Sequence, residues 1–238
     1  MEKENDIIRS WNKNASVWSR LIEQEKIASR KFTNPAIVEE VMKYDLLKIL
    51  DLGCGEGWLS RALKNKRNSV TGVDVTEALL ETARRKSSQN FYRMSYEEII
   101  EGKSIPEAPF DAVVLNFCLY HKEEVPRLLF SLRSSLSKPG LIFIQTLHPA
   151  FLLQNNLSYE DQWIKDSWKG LQGNFVEPHA WYARTFESWI SAFIDSGFNI
   201  LGVKEVTNDS KIPVSVIFKA EKVCNSKEPD FKYKSGRL

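Results

Sequence analysis

The spacing of apolar residues changes its period along the chain, and this change predicts where helices give way to strands. Apolar residues recur every three or four positions in residues 1–47, which is typical of amphipathic helices. Asn34-Pro35 interrupts this pattern, so we expect a second helix over residues 36–44, with Pro35 at its first position. Short apolar runs bounded by turn residues then follow, and these are typical of buried strands.

Predicted strands and helices alternate from residue 48 to residue 148. The apolar runs predict strands over residues 48–52, 69–74, 91–94, 111–116 and 141–147. The segments between them predict helices over residues 58–66, 77–87 and 123–137, the last ending at the stop signal Lys138-Pro-Gly140. This alternation predicts an α/β fold, a Rossmann-like doubly wound sheet of seven mostly parallel strands.

Residues outside this alternating core divide into four further segments. Residues 1–47 are expected to form an N-terminal helical cap, and residues 48–148 the core. Residues 149–184 are rich in aromatic side chains without a clear period, so we interpret them as an insertion after the fifth strand. A helix over residues 185–196 and strands over 200–206 and 214–220 complete the core, and residues 221–238 form a polar, frayed tail.

Composition narrows the class of protein without identifying it. Of the 238 residues, 42% are apolar and 27% charged, as is typical of a soluble globular chain. Lys plus Arg total 33 and Asp plus Glu total 31, and the resulting net charge of +2 gives no strong attraction to nucleic acid or acidic membranes. No segment has the length and hydrophobicity of a membrane helix or the pattern of a signal peptide, so we expect a cytoplasmic protein.

The cysteines argue against a disulfide framework or a metal site. Cys54, Cys118 and Cys224 are widely separated and odd in number, and no Cys/His cluster has zinc spacing. Reduced thiols and no bound metal are therefore expected. The sequence contains no feature that indicates an oligomeric state.

A glycine-rich loop is the sharpest motif in the sequence. The segment Ile49-Leu-Asp-Leu-Gly-Cys-Gly-Glu-Gly57 runs from a predicted strand directly into a predicted helix. Glycines let the backbone turn tightly and approach a ligand, and a helix N-terminus offers free N–H groups. The spacing G-x-G-x-G differs from the G-x-G-x-x-G of dinucleotide enzymes. Asp74 closes the second strand, where a carboxylate can accept hydrogen bonds from both ribose hydroxyls of a nucleoside.

At these residues the chain resembles the class I S-adenosylmethionine-dependent methyltransferases that act on small molecules, similar to types 11 and 12. The resemblance covers about residues 45–220. It rests on four segments in order: ILDLGCGEG (49–57), GVDVTEALL (72–80), FDAVVLNFCLYH (110–121) and LSKPGLIFIQT (136–146). The resemblance implies S-adenosylmethionine as cofactor and S-adenosylhomocysteine as product.

The resemblance also implies a set of cofactor-binding residues. They are Asp51, Gly53, Cys54, Gly55, Gly57 and Trp58 in the loop region, Asp74 and Val75 after the second strand, Met94, Ser95 and Tyr96 after the third, Asn116 and Phe117 after the fourth, and Trp18 and Arg30 in the cap. The family often has an Asp after strand three for the adenine amino group, and here Met94 or Ser95 takes that place. We therefore expect backbone N–H groups near Ser95 and Tyr96 to hold adenine. Trp11 is either a further cap contact or core packing.

Catalytic candidates lie at the C-terminal ends of strands and in the insertion. His121, His148 and Tyr182 are the candidates, and His179 is a further rim histidine. A histidine can remove a proton from an acceptor hydroxyl or amine. The alternative is that these histidines serve only in packing, because alignment and desolvation can drive methyl transfer without a base.

We interpret the aromatic insertion as a lid over the methyl acceptor. Its residues are expected to form a flat-walled apolar pocket with one cation for an acceptor carboxylate. The residues concerned are Trp163, Trp168, Phe175, Trp181, Tyr182 and Arg184. The same aromatics also fit a purely structural role beneath the lid.

Three other functions remain open at this stage. An RNA, DNA or protein methyltransferase is one, although Asn116-Phe-Cys-Leu lacks the prolines of the amino-group nucleic-acid methylases. A non-catalytic methyltransferase-like binding subunit is the second, and a dinucleotide oxidoreductase is the third. The favoured prediction is methyl transfer to a small-molecule acceptor.

Overall fold

The computed structural model describes residues 2–223, so Cys224 and most of the predicted tail lie outside the described residues. The strands are β1 Lys48–Leu52, β2 Ser69–Asp74, β3 Asn90–Arg93, β4 Phe110–Asn116, β5 Leu136–Leu147, β6 Gln162–Ile164, β7 Trp181–Ala183, β8 Phe198–Thr207 and β9 Pro213–Lys222. The helices are α1 Glu2–Glu23, α2 Arg30–Met42, α3 Trp58–Leu63, α4 Glu77–Lys86, α5 Tyr96–Ile100, α6 Glu124–Leu132, α7 Phe151–Gln154 and α8 Phe186–Asp195.

Seven of the described strands form one sheet in the order β3-β2-β1-β4-β5-β9-β8. The first five are parallel, and β9 and β8 join antiparallel at one edge. The fold class predicted from the sequence is thus confirmed. The sheet order reverses between β1 and β4, and in open α/β sheets ligands bind outside the carboxyl ends of the strands at such a point.

Both faces of the sheet are covered, which explains why the central strands are almost wholly apolar. Successive residues of one strand point to opposite faces: Leu50 packs in the cluster that includes α5, α6 and α8, and Ile49 in the cluster that includes α2 and α3. The same alternation separates Val113 from Ala112 on β4. Burial on both faces produces the continuous apolar runs seen in the sequence.

Helix α2 begins earlier than predicted. It starts at Arg30, so Pro35 lies inside the helix and not at its first position. Proline removes one backbone hydrogen bond, here to the carbonyl of Lys31. Both Pro35 and Lys31 are exposed, so water can satisfy that carbonyl. The proline is therefore tolerated where the sequence pattern predicted a break.

The boundary between α6 and β5 also differs from the prediction. Helix α6 ends at Leu132, a 3-10 turn follows, and β5 begins at Leu136, before the Lys138-Pro-Gly140 stop signal. Leu136 is paired with Phe110 of β4, and the pairing resumes at Leu141, so the residues between bulge out of the ladder. Strand pairing with β4 thus decides the conformation of a segment whose local pattern favoured helix.

The cap and the insertion hold each other in place. Asn14 of α1 exchanges two hydrogen bonds with the backbone of Val176, at 2.7 and 2.9 Å. The indole N–H of Trp168 donates to Ser10 Oγ at 3.0 Å. Within the insertion, the short strands β6 and β7 form an antiparallel pair, which the sequence did not predict. The first helix and the insertion together form the roof over the carboxyl ends of the strands.

The last strand extends further than the sequence predicted. Glu221 and Lys222 belong to β9, so the tail predicted from residue 221 is wrong at these two positions, where pairing with β5 and β8 extends the strand.

None of the helices within residues 2–223 combines the length and hydrophobicity that a bilayer crossing requires.

Candidate active site

The glycine loop connects β1 to α3 in a conformation that requires glycine. Gly53, Gly55 and Gly57 have φ angles of +75°, +55° and +79°, a region that other residues rarely adopt. The N–H groups of Gly53 and Cys54 donate to Val73 O at 2.7 and 3.1 Å, which fixes the loop to the end of β2. The loop therefore closes over the same sheet edge at which Asp74 lies.

Asp74 lies at the end of β2 and is held by two backbone groups. Gly55 N–H donates to its Oδ2 at 2.9 Å, and Thr76 N–H donates to its Oδ1 at 2.7 Å. Burial raises the pKa of this carboxyl above its usual value, and the two backbone hydrogen bonds oppose that rise. Each oxygen keeps acceptor capacity, because an ionised carboxylate offers about four acceptor sites.

A cleft of about 850 Å³ opens at this edge of the sheet. Thirteen of the predicted cofactor-binding residues line it: Trp18, Arg30, Gly53, Cys54, Gly55, Trp58, Asp74, Val75, Met94, Ser95, Tyr96, Asn116 and Phe117. Their convergence from five separate segments is the arrangement that the resemblance implies. Their roles toward a cofactor stay predictions.

Asp51 and Gly57 do not line this cleft. Asp51 is buried beneath the loop and accepts a hydrogen bond from Ser60 Oγ at 2.6 Å, so it fixes helix α3 to β1. Burial, with the nearby carboxylates of Asp74 and Glu56, raises the pKa of Asp51 to about 7. Gly57 faces Ala83 and Phe91, where an added Cβ would lie 3.0 Å from each side chain. The geometry thus favours supporting roles for both residues over direct contact.

The predicted adenine region is formed by the start of α5. Ser95 caps this helix: Glu98 N–H donates to Ser95 Oγ at 3.1 Å, and Ser95 N–H donates to Glu98 Oε2 at 2.8 Å. The N–H of Ser95 is therefore already satisfied and does not suit the role toward adenine expected from the sequence. Met94 and Tyr96 remain on the wall of the cleft.

Arg30 connects the cap to the cleft. Its guanidinium lies 5.2 Å from the ring centroid of Trp18 and 5.3 Å from that of Trp58. Burial lowers the pKa of Arg30 to about 10, while Glu56 acts in the opposite direction, so the group is charged at neutral pH. Its Nη1 is buried without a hydrogen-bond partner among the described residues. Such an atom indicates an anionic group of a ligand.

The predicted catalytic residues do not come together. His121 lines the cleft, and burial lowers its pKa to about 4. His148 and Tyr182 line a different cavity of about 260 Å³, where His148 Nε2 lies 2.7 Å from Glu205 Oε1. His148 Nδ1 also accepts from Ala150 N–H at 3.0 Å. The geometry leaves only His121 within the cleft, and it is a weaker base than the sequence led us to expect.

A second cavity of about 860 Å³ adjoins the cleft and contains part of the predicted acceptor pocket. Trp168 and Trp181 line it, and Phe175 stacks behind Trp168 with ring centroids 4.6 Å apart. Trp163, Tyr182 and Arg184 do not line it.

Arg184 has a different role from the one the sequence suggested. Its Nη2 donates to the carbonyls of His121 and Lys122 at 2.8 and 2.6 Å, and its guanidinium lies over the rings of Tyr182 and Trp189. Arg184 therefore fastens the insertion to the segment after β4. The expectation that it meets an acceptor carboxylate does not fit this geometry.

Several lining residues were missed by sequence reasoning, among them Tyr120, which lines both cavities, and Glu56 and Thr76, which line the cleft. Trp11, which the sequence left open between a cap contact and core packing, lines both cavities. Glu56 and Thr76 directly neighbour predicted site residues, so their position in the motifs was a usable signal. Trp11 lies one helical repeat of seven residues before Trp18 on α1, which places both on one face of the helix.

Buried polar atoms without partners show what the cleft can hold. Besides Arg30 Nη1, they are Glu56 Oε1, Asn116 Oδ1 and both ring nitrogens of His121, each without a hydrogen-bond partner among the described residues. Buried polar groups are normally satisfied, so donors and acceptors facing one cleft indicate a polar ligand. The carboxylate of Asp74 suits ribose hydroxyls, and the aromatic and cationic groups of the cap suit an amino acid carboxylate beside an apolar chain. These residues fit S-adenosylmethionine. Within residues 2–223, no group of three or more His, Cys, Asp or Glu side chains could hold a metal ion.

Comparison with known proteins agrees with this geometry. A family model described as "Methyltransferase domain" matches residues 13–202. An uncharacterized protein of Haemophilus influenzae is 26% identical over 208 residues, which cover 76% of this chain and 81% of that protein. A ubiquinone biosynthesis O-methyltransferase of Pseudomonas aeruginosa is 37% identical over 106 residues, but these span only 42% of this chain and 44% of the relative.

Among solved structures, the 1,6-didemethyltoxoflavin-N1-methyltransferase of Burkholderia thailandensis shares the fold. That structure, which contains 1,6-didemethyltoxoflavin and S-adenosylhomocysteine, has a TM-score of 0.67 at 16% sequence identity and covers 93% of this chain and 89% of its own.

Proposed function

We propose that this chain transfers a methyl group from S-adenosylmethionine to a small-molecule acceptor. It belongs to the methyltransferase domain family of class I S-adenosylmethionine-dependent enzymes. The observation that carries the proposal is the convergence of Asp74, Arg30 and the glycine loop on one cleft beside a second, aromatic cavity. One cavity suits the cofactor and the adjoining one suits the acceptor.

The residues of the cleft have distinct roles in holding the cofactor. The Asp74 carboxylate would accept hydrogen bonds from ribose hydroxyls, since the backbone already fixes its orientation. Arg30 would pair with the amino acid carboxylate through its unpartnered Nη1. The rings of Trp18 and Trp58 flank that guanidinium and exclude water from it, which strengthens the ion pair.

When bound, S-adenosylmethionine supplies an electrophilic methyl group: the acceptor atom bonds to the methyl carbon, sulfur keeps the electron pair of the broken bond, and the acceptor loses a proton. The chain contributes mainly alignment and exclusion of water. His121 and His179 both have a pKa lowered to about 4 by burial, so each is a weak base. We therefore assign neither histidine the role of a general base, and the acceptor's proton leaves to bulk solvent after methyl transfer.

A small acceptor is favoured over a macromolecule by the enclosure of the second cavity. Trp11 and Trp18 of the cap and Trp168 and Trp181 of the insertion surround it. A polymer substrate needs an open groove, whereas side chains of the cap and of the insertion wall this cavity, which suits a small ligand. Two of the similar proteins, the ubiquinone biosynthesis O-methyltransferase and the 1,6-didemethyltoxoflavin-N1-methyltransferase, are named for small-molecule chemistry.

The cofactor side is tested by calorimetric titration with S-adenosylhomocysteine. The Asp74→Asn variant removes the charge at nearly constant volume, and hydrogen bonds to a charged group contribute about 1.5–3 kcal/mol each. We expect a Kd at least about 10-fold higher than in the wild type. Glu77→Gln, a charge change outside the cleft, is the matched control and should bind normally. No binding by the wild type, or an unchanged Kd for Asp74→Asn, contradicts the proposal.

The acceptor side is tested by label transfer. Protein incubated with methyl-tritiated S-adenosylmethionine is offered a filtered extract of small metabolites, bulk tRNA or bulk protein in separate reactions. We expect label in the metabolite fraction only. Label in tRNA or protein would reject the small-molecule assignment while leaving methyl transfer intact.

A further inference from the structure

The second cavity shares one wall with the cofactor cleft. Its common lining residues are Trp11, Trp18, Arg30, Phe117 and Tyr120. We call the second cavity the acceptor chamber. A molecule held there lies directly beside the cleft, so the chamber's chemistry indicates which acceptor the protein takes.

The walls of the chamber are flat and aromatic. The ring centroid of Trp11 lies 5.1 Å from that of Trp18 and 4.8 Å from that of Trp168, in edge-to-face contact. Tyr120 lies 6.0 Å from Trp11 on the side toward the strands. Adjacent ring faces and edges of this kind stack best on a planar ring system.

Besides Arg30 Nη1, a second polar atom without a partner belongs to a residue that lines the chamber. His179 is 3% exposed, and its Nε2 is buried without a hydrogen-bond partner among the described residues. Its Nδ1 lies 3.0 Å from Ser167 Oγ. Ser167 Oγ also accepts the backbone N–H of His179 at 3.3 Å.

These contacts favour one position for the ring proton of His179. Ser167 Oγ has one proton of its own, and His179 Nδ1 is the acceptor within reach of it. We therefore assign the proton of the neutral ring to Nε2. Burial lowers the pKa of His179 to about 4, so the ring stays neutral at physiological pH. His179 thus brings to the chamber wall a ring N–H donor with no partner among the described residues.

The charge of the chamber disfavours ionic acceptors once Arg30 is paired with the cofactor. None of the described residues that line it is acidic, so a cation would meet no counter-charge. Its one lining cation, Arg30, is flanked by Trp18 and Trp58 and is attracted to Glu56, which places its charge toward the cofactor cleft. An anion buried among the tryptophans would be poorly paired, and burial of an unpaired charge is costly.

We propose that the acceptor is a planar, uncharged aromatic or heteroaromatic molecule, and that His179 positions it by donating an Nε2–H hydrogen bond to an oxygen or nitrogen lone pair. This inference rests on the proposed function, because it assumes that the chamber holds the acceptor. His179 is thereby a positioning residue and not the base that removes the acceptor's proton.

The test uses three bicyclic probes that differ in their polar group. Isoquinoline accepts a hydrogen bond, indole only donates one, and 2-naphthoate carries a negative charge. Dissociation constants are measured by ligand-observed NMR at pH 7.5 on the full chain saturated with S-adenosylhomocysteine. We expect isoquinoline to bind about 10-fold more tightly than either other probe, as one hydrogen bond of this kind allows.

Variants then assign the preference to His179 and the site to the chamber. His179→Leu should reduce the preference for isoquinoline to within about 2-fold, and His179→Gln, which keeps a donor, should retain part of it. Leu171→Trp fills the chamber and should weaken all three probes, whereas Leu153→Trp, at a position 60% exposed outside the chamber, should not. Retained binding of S-adenosylhomocysteine shows that each variant is folded.

The contradicting outcomes are distinct. Tighter binding of indole would place the lone pair, not the proton, on Nε2, and tighter binding of 2-naphthoate would show a charged acceptor. An unchanged preference in His179→Leu, or unchanged binding in Leu171→Trp, would overturn the role of His179 or of the chamber. If S-adenosylhomocysteine itself fails to bind the wild type, the proposed function fails and not this inference alone.

Discussion

Asp51 should make this protein less stable as the pH rises. Most paired carboxylates have the opposite effect, because their pKa is lowered in the folded protein. Asp51 is 2% exposed, lies beneath the glycine loop and has Ser60 Oγ as its hydrogen-bond donor at 2.6 Å. Burial and the neighbouring Asp74 and Glu56 raise its pKa from 3.8 to about 7. Between these two pH values the folded protein keeps a proton that the unfolded chain has released. Stability therefore falls as pH rises through this interval and levels off above about pH 7.

The magnitude follows from the two pKa values. Each unit of difference corresponds to about 1.4 kcal/mol, so the full effect approaches about 4 kcal/mol above pH 7. About 3 kcal/mol of this develops between pH 5 and pH 8. The substitution Asp51→Asn keeps the volume and an acceptor for Ser60 but cannot ionise. Relative to the wild type, the variant should gain about 3 kcal/mol in stability from pH 5 to pH 8.

The assay is urea unfolding of both proteins without cofactor at pH 5 and pH 8, followed by circular dichroism. For a chain of this size the change corresponds to roughly 6–12 °C in Tm, so thermal unfolding is a second measurement. Asp45→Asn is the control, because the Asp45 side chain is 97% exposed. It should show no change in relative stability between the two pH values. If the difference between Asp51→Asn and the wild type is equal at both pH values, the buried-acid reasoning is refuted.

Two further substitutions test the geometry of the cleft. Gly53→Ala combines a φ of +75° with a Cβ only 2.5 Å from Cys118 Cβ, whereas Gly102→Ala, with a φ of +91°, has no atom within 4 Å. Measured by denaturant unfolding, Gly102→Ala should lower the free energy of unfolding by about 1 kcal/mol, and Gly53→Ala should lower it by at least about 2 kcal/mol more. Equal losses in the two variants would refute the contact with Cys118. Ser95→Ala removes the cap that Ser95 and Glu98 provide for α5 and should lower the free energy of unfolding by about 1 kcal/mol in the same assay. Unchanged stability would contradict the capping role.

The hydrophobic pattern and the motifs determined the fold and the cofactor side of the site. Each central strand is apolar because it is buried on both faces, so its sequence carries its position in the sheet. The glycine loop and Asp74 are adjacent because parallel strands end at the same edge, and this follows from topology without side-chain detail. Local sequence was therefore sufficient wherever backbone periodicity alone fixes the geometry.

The tertiary structure decided the features that depend on partners distant in the chain. Pairing with β4 turned Leu136 and Ser137 from predicted helix into strand, and exposure to solvent allowed Pro35 inside α2. Arg184 donates to two backbone carbonyls, because the insertion folds back onto the segment after β4. Long-range contacts of this kind leave no local period in the sequence.

The acceptor side shows the same division most clearly. The sequence supplied many aromatic residues in the cap and in the insertion, but not which of them share a cavity. Trp11, Trp168 and His179 meet only because Asn14 and Ser10 of the first helix bond to the insertion about 160 positions along the chain. Packing between two segments so far apart in sequence depends on the whole fold, and for that reason only the structure could define the acceptor chamber.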